Sequence, residues 1–152
     1  MNTEDIIRVL DDMLHPELQD SYDNSGTQVI FRGEETDSIL ISLDPGMAVI
    51  DEAVKKKCGI VITHHPLLFR PMGRIDSAES TSSILIKIID ERISVYSAHT
   101  NLDRLYNDRL ARLLGLIDIE PIRRGEGGGL SDQAYHGVIA RLDPPASLPD
   151  FI

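Results

Sequence analysis

Short apolar runs alternate, over the first two thirds of the chain, with segments whose apolar residues recur at helical spacing. A short apolar run between turn residues predicts a buried strand, whereas apolar residues three and four apart predict one face of a helix. In order, this predicts a strand over Ser38–Asp44, a helix over Met47–Lys57, a strand over Ile60–Ile62, a helix over Ser80–Ile93 and a strand that starts at Ser94 and leads to His99 and Asp103. Such an alternating order predicts parallel pairing with right-handed crossovers.

The remaining segments predict flanking elements: a helix over Glu4–Leu14 capped by Thr3, a short strand over Thr27–Arg32, a loop over Leu67–Asp76, a helix over Asn107–Leu114 and a strand over Tyr135–Leu142. Gly125–Gly129 lacks the phosphate-loop pattern and no strand is predicted before it, so we interpret it as a flexible connection. The predicted fold class is α/β, with a mostly parallel or mixed sheet and flanking helices over residues 1–143. Residues 144–152 are predicted to be a linker and the start of a helix, because Ser147-Leu148-Pro149-Asp150 is a helix-start signal; we therefore expect a truncated chain.

Charge and cysteine content narrow the classes of function. The 152-residue chain has a formal charge of −10 and only short basic clusters, which argues against an electrostatic grip on nucleic acid. Its single cysteine, Cys58, excludes an intrachain disulfide and fits a reducing compartment. No apolar run approaches the roughly 20 residues of a membrane-spanning helix. We therefore expect a cytoplasmic protein that binds neither membranes nor nucleic acid.

Two neighbouring predicted strands are each followed by side chains that bind metal ions. His64 and His65 follow the second strand and precede Pro66, which cannot continue an interior strand. His99 and Asp103 follow the third strand. The carboxyl ends of parallel strands meet at one edge, where α/β proteins bind ligands. Because imidazole suits Zn, Fe, Ni, Co and Mn, and carboxylate can bridge two ions, the pattern predicts a divalent-metal centre.

The residue pattern leaves several arrangements of this centre open. Successive strand residues point to opposite faces, so His64 and His65 share one ion only if the backbone bends before the proline. Otherwise each binds a different ion, with Asp103 between them as a bridge. His99 is a further ligand, a residue that orients a ligand, or a proton-transfer group. Asp44 either lines the cleft or caps the following helix. The structural alternative is that these residues are partly buried side chains without ligands.

Five segments together carry a resemblance to a known family: Tyr22–Gly26, Ile41–Asp44, Ile62–Pro66, Ser97–Asp103 and Leu113–Leu116. They resemble the GTP cyclohydrolase 1 type 2 homologue family, also called the Nif-three-like dinuclear metal proteins, over nearly the whole chain. The resemblance implies a two-lobed α/β fold, of which this chain matches the N-terminal lobe. It also implies two divalent metal ions in a cleft and a ring-shaped homo-oligomer built from trimers, often a hexamer.

The resemblance also suggests roles for single residues. His64, His65 and Asp103 match metal ligands of the family, and the Asp23-Asn24 turn matches a segment near its cleft. We therefore expect Asp23, Asn24 and Asp44 to bind substrate and His99 to be catalytic. The family's remaining ligands, a histidine and a glutamate from a C-terminal segment, have no counterpart in this chain.

Two functions follow as hypotheses. The first is a metal-dependent hydrolase that uses a metal-activated water on a nucleotide or related small substrate. The alternative is a non-enzymatic protein that binds or delivers metal, or regulates a partner. Both use the same ligands, two divalent ions and a trimeric or hexameric homo-oligomer, so the sequence does not separate them. A third reading, in which the histidines serve only the core and assembly, predicts no metal.

Overall fold

The computed structural model of the chain describes residues 1–122 and 136–151. Its elements in chain order are α1 (Thr3–Leu14), a 3₁₀ helix (Pro16–Leu18), β1 (Gly26–Val29), β2 (Ile39–Ser42), α2 (Met47–Lys56), β3 (Ile60–Thr63), α3 (Ser80–Asp90), β4 (Ser94–Ser97), α4 (Thr100–Leu113), β5 (Ile117–Ile122), β6 (Gly137–Arg141) and α5 (Leu148–Phe151). None of the helices within the described ranges is both long and apolar enough to cross a membrane.

A four-stranded mixed sheet forms the centre of the fold, in the order β1–β4–β3–β2. The strands β2, β3 and β4 are parallel, as the alternating sequence pattern predicts, and β1 joins the β4 edge antiparallel to it. Thr63 pairs with Ser42 on one side and with Ser97 on the other, so the three parallel strands end level with one another. Whatever follows these strands is therefore delivered to one edge of the sheet.

Helices cover both faces of this sheet because successive strand residues point to opposite sides. Val61 and Val95 belong to a buried cluster with residues of α2 and α3, among them Ile50 and Ile88. The neighbouring strand residues Ile60 and Tyr96 belong to a second cluster that includes residues of α1. The central strands β3 and β4 are thus buried between two layers of helices, whereas the edge strand β2 leaves Ile39 and Ile41 exposed.

Three helix boundaries differ from the sequence prediction. The cap of α1 is Asn2, whose side chain accepts a hydrogen bond from the Glu4 N–H, and Thr3 is the first residue of the helix. The helix α3 ends at Asp90, short of the predicted end at residue 93, and Arg92 then adopts a left-handed conformation. The helix α4 begins seven residues before the predicted start at Asn107. Its first turn is polar and therefore lacks the apolar spacing on which the prediction rested.

A second, two-stranded antiparallel sheet is formed by β5 and β6, and both strands contact α4. The prediction that no strand precedes the glycine-rich segment was wrong, because β5 ends at Ile122. The predicted strand over Tyr135–Leu142 corresponds to β6. Gly125–Gly129 and Tyr135 lie outside the described residues. Near the end of the chain, α5 follows Ser147, where the sequence predicts a helix start.

Candidate metal centre

Three imidazoles meet at the carboxyl edge of the parallel strands. His64 and His65 directly follow β3, and His99 follows β4 after a single residue. One ring nitrogen from each lies within 4.8 Å of the other two. The ring centroids are 4.9 Å apart for His64 and His65, and 5.1 and 5.5 Å from each of these to His99. We refer to these three residues as the imidazole cluster.

The two adjacent histidines reach one cluster because the backbone bends where β3 ends. The His65 N–H donates to the Leu43 carbonyl at 3.0 Å, and the Thr63 hydroxyl donates to the His65 carbonyl at 2.7 Å. These bonds hold the bend, and His64 and His65 no longer alternate as in a regular strand. In the structure both rings therefore approach a common point.

In each ring of the cluster, Nδ1 is hydrogen-bonded to an oxygen that can act only as an acceptor. The partners are the Ala98 carbonyl for His64 at 2.8 Å, the Asp44 carboxylate for His65 at 2.7 Å and the Asp23 carboxylate for His99 at 2.8 Å. A carbonyl or carboxylate oxygen has no proton to donate, so Nδ1 carries the hydrogen in all three rings. A neutral imidazole of this tautomer has its lone pair on Nε2, which is the form in which histidine binds a metal ion.

Asp23 is the most enclosed member of the site, with a side chain that is 0% exposed. Its carboxylate accepts hydrogen bonds from His99, from the Thr100 N–H at 3.0 Å and hydroxyl, from the Ser25 hydroxyl at 2.8 Å and from the Asn24 N–H at 2.7 Å. Burial alone would raise the pKa of Asp23, but these donors outweigh burial and hold the pKa well below its ordinary value. Asp23 is therefore an ionised group that fixes His99 and the first residue of α4.

Asp103 stands at the open side of the cluster, in the first turn of α4. Its Oδ1 lies 3.8 Å from the His64 Nε2, beyond hydrogen-bond distance, and its side chain is 58% exposed. The Asp103 N–H donates to the His99 carbonyl, which holds the backbone of the two residues together. Asp103 thus offers a carboxylate next to the nitrogen that His64 leaves unbonded.

The three residues expected to bind substrate all make hydrogen bonds that hold the site. Asp23 and Asp44 accept from imidazoles, and the Asn24 side chain donates to the Leu68 carbonyl at 2.7 Å. Asp44 does not cap the following helix: the cap residue of α2 is Gly46, and it makes no side-chain hydrogen bond. Asn24 instead anchors the loop that follows the histidines.

That loop passes next to the cluster and brings an aromatic ring to it. The Phe69 ring centroid lies 6.0 Å from that of His99, in an edge-to-face arrangement. The Gln28 side chain accepts a hydrogen bond from the Leu68 N–H at 3.0 Å, so both backbone groups of Leu68 are bonded to the β1 side of the site. Neither Gln28 nor Phe69 was identified from the sequence, since a glutamine in a strand and a phenylalanine in a loop have no distinctive pattern.

The other two histidines lie outside the cluster. His15 Nδ1 pairs with the Glu17 carboxylate at 3.1 Å, and His136 Nε2 is 3.4 Å from the Arg104 guanidinium. Of the His, Cys, Asp and Glu side chains within the described ranges, His64, His65 and His99 are the set close enough together to share one ion.

Fold and site together define an α/β protein with a potential metal-binding centre at the carboxyl ends of its parallel strands. Residues 1–152 match the family Duf34/NIF3 (NGG1p interacting factor 3), and the chain belongs to this family. A GTP cyclohydrolase 1 type 2 homolog of Clostridium acetobutylicum is 39% identical over 118 residues, which cover 76% of this chain and 44% of that protein. One of Clostridium perfringens is 34% identical over 137 residues, covering 85% of this chain and 52% of that protein.

Solved structures agree with this assignment. A Bacillus cereus protein related to NIF3 superposes with a TM-score of 0.75 at 32% identity, over 83% of this chain and 36% of that one. Reduced HcgD from Methanocaldococcus jannaschii superposes with a TM-score of 0.72 at 34% identity, over 80% of this chain and 50% of that one. The chain thus spans about half the length of the curated relatives that it matches.

Proposed function

We propose that the imidazole cluster binds a divalent metal ion and that this chain carries part of the active site of a metal-dependent hydrolase. The observation that supports the proposal best is that all three rings are oriented by the same kind of hydrogen bond. Each Nδ1 is bonded to an oxygen, which leaves three Nε2 lone pairs as donors in one small space. Three neutral imidazoles with such supporting bonds suit Zn, Fe, Co, Ni or Mn.

Within this proposal His99 is a ligand rather than the proton-transfer group that the sequence suggested. Its Nδ1 is held by Asp23 as firmly as those of the other two rings are held, which suits a ligand with a fixed orientation. Asp103 is the proposed bridge to a second ion, because its carboxylate lies beside the His64 Nε2 and is open to solvent. A dinuclear site needs further ligands, which we assign to the part of the relatives' length that this chain does not cover.

The chain's own residues would hold, orient and shield the reacting groups. A bound divalent ion would supply an activated water and polarise a phosphoryl or carbonyl oxygen of the substrate. Asp23 and Asp44 keep His99 and His65 in the tautomer that binds metal, and the Phe69 ring covers one side of His99. The proposed substrate is a nucleotide or related small molecule, a class suggested by the names of the relatives. We also propose that the protein assembles into a trimeric or hexameric homo-oligomer.

The test measures metal content and turnover on the same samples. Elemental analysis of metal-loaded protein is expected to give at least one divalent ion per chain, and His64→Ala, His65→Ala and His99→Ala are each expected to lose it. His136→Ala is the matched control, because this histidine lies outside the cluster, and it should bind metal as the native chain does.

Turnover of nucleotides and phosphoesters decides between the two functions. Hydrolysis that depends on metal and falls in the three cluster variants would support the enzyme. Reversible metal binding without turnover, also in the full-length relatives, would favour a metal-handling role. Protein that holds no metal and whose stability is indifferent to chelator would refute both.

A further inference from the structure

Among the residues that the structure describes, two arginines near the cluster have no carboxylate partner. Most arginines in residues 1–122 and 136–151 pair with an Asp or Glu, as Arg112 does with Asp108 at 2.7 Å and Arg74 with Glu79 at 2.9 Å. Within these ranges, Arg70 and Arg109 have no ion pair and no hydrogen bond from the guanidinium. Such isolation is unexpected in a chain with a net charge of −10, where carboxylates are plentiful.

Arg109 lines an open groove that reaches the cluster. This groove has a volume of about 650 Å³, and its walls include His64, Asp103 and Tyr106. Arg109 lies in α4, past the non-helical residue Tyr106 that kinks the helix. Arg109 therefore lines the same groove as His64, the ring of which is proposed to bind metal.

Arg70 lines a second groove on the His99 side of the cluster. This groove has a volume of about 750 Å³, and Asp23 and Phe69 contribute to its walls. Phe69 contacts His99, and Leu68, one residue earlier, has both backbone groups hydrogen-bonded to side chains beside β1. The backbone that carries Arg70 is thus held in place next to the cluster.

We propose that Arg70 and Arg109 bind the phosphate groups of a phosphate-bearing small molecule whose reacting end lies at the imidazole cluster. A guanidinium presents a planar fork of N–H donors that matches phosphate, and within residues 1–122 and 136–151 no group occupies those of Arg70 and Arg109. Both grooves have the size of small-molecule sites. The placement of the reacting end at the cluster rests on the proposed function. Phosphate binding by the two arginines does not.

The experiment measures binding of inorganic pyrophosphate to the metal-free chain by titration calorimetry. Removing the metal separates binding by arginine from binding by the ion. The native chain is expected to bind pyrophosphate saturably, with an affinity that falls as salt rises. Arg70→Gln and Arg109→Gln are each expected to weaken binding about tenfold, the typical effect of one charge-assisted contact.

Arg112→Gln is the matched control, since it removes the same charge from the same helix as Arg109 and should leave the affinity within about twofold. A native chain that binds no pyrophosphate would overturn the proposal, as would two variants that bind it as Arg112→Gln does. A loss in only one variant would overturn the assignment of the other arginine. Metal content and pyrophosphate binding are measured separately on the native chain: a chain that binds pyrophosphate but no metal would overturn only the metal proposal, and one that binds metal but no pyrophosphate would overturn only this one.

Discussion

Replacing Asp23 by asparagine tests how the buried carboxylate holds the imidazole cluster. The substitution keeps the size of the side chain but exchanges one accepting oxygen for an NH₂ group. In the native chain, donors from His99, Thr100, Ser25 and Asn24 converge on both oxygens. At least one of these donors must then face the NH₂ group without an acceptor.

The size of the effect follows from burial. A hydrogen bond to a charged group is worth about 1.5–3 kcal/mol, and leaving a buried donor unsatisfied has a similar cost. Because the bonds to Asp23 share one network, their energies do not add. We expect Asp23→Asn to lower the free energy of unfolding by about 2–4 kcal/mol. Metal affinity should fall about 10–100-fold, the usual effect of losing the group that orients a ligand.

Two comparison variants separate the effect of Asp23 on stability from its effect on metal affinity. Asp37→Asn removes a charge from a fully exposed side chain and should change neither the free energy of unfolding nor the metal affinity. Asp44→Asn removes the partner of His65, but the Asp44 side chain is 66% exposed, so it should weaken metal binding with little loss of stability. Urea denaturation measures stability, and competition with a chelator measures metal affinity. Native-like stability of Asp23→Asn would refute the reasoning.

Two further substitutions test a buried tyrosine hydroxyl in the sheet and a close backbone contact beside it. Burial and the hydrogen bond to Asp11 raise the pKa of Tyr96 above its ordinary value, so the folded state holds a proton that the unfolded state loses above about pH 10. The native chain should therefore lose stability as pH rises through that range. Tyr96→Phe should be less stable by about 1 kcal/mol at neutral pH and show a weaker alkaline decline; an identical decline would contradict this reasoning. Gly59→Ala would place its Cβ 2.7 Å from the Thr36 Cβ and should destabilise by about 1–3 kcal/mol in urea denaturation. Gly73→Ala meets nothing within 4 Å and should be near neutral; equal losses in the two glycine variants would contradict the steric explanation.

The sheet and the meeting of the histidines could be predicted because both depend on local patterns. Apolar runs of strand length and apolar residues at helical spacing alternate along the chain, which specifies parallel strands. Parallel strands end at the same edge, so His64, His65 and His99 had to meet there. The alternation Ile117-Asp118-Ile119-Glu120 is an equally local strand signal, and it could have predicted β5.

The hydrogen bonds that orient the rings could not be predicted in the same way. Asp23 and His99 are 76 residues apart in the chain, and the Ala98 carbonyl that holds His64 is 34 residues from it. Which oxygen meets which ring depends on the bend after β3 and on the packing of the turn beside β1. The start of α4 was missed for a related reason, because the Thr100 N–H is bonded to Asp23 and not to a capping residue nearby in sequence.

The most direct test of the proposed metal centre reads the hydrogen position on each imidazole by long-range ¹H–¹⁵N NMR, before and after zinc is added. In the metal-free chain His64, His65 and His99 should carry the hydrogen on Nδ1, and one equivalent of zinc should shift the Nε2 resonance of all three. His15 and His136 should stay unchanged, since they lie outside the cluster. Hydrogen on Nε2 of the three rings, or zinc that shifts none of them, would contradict the proposed centre.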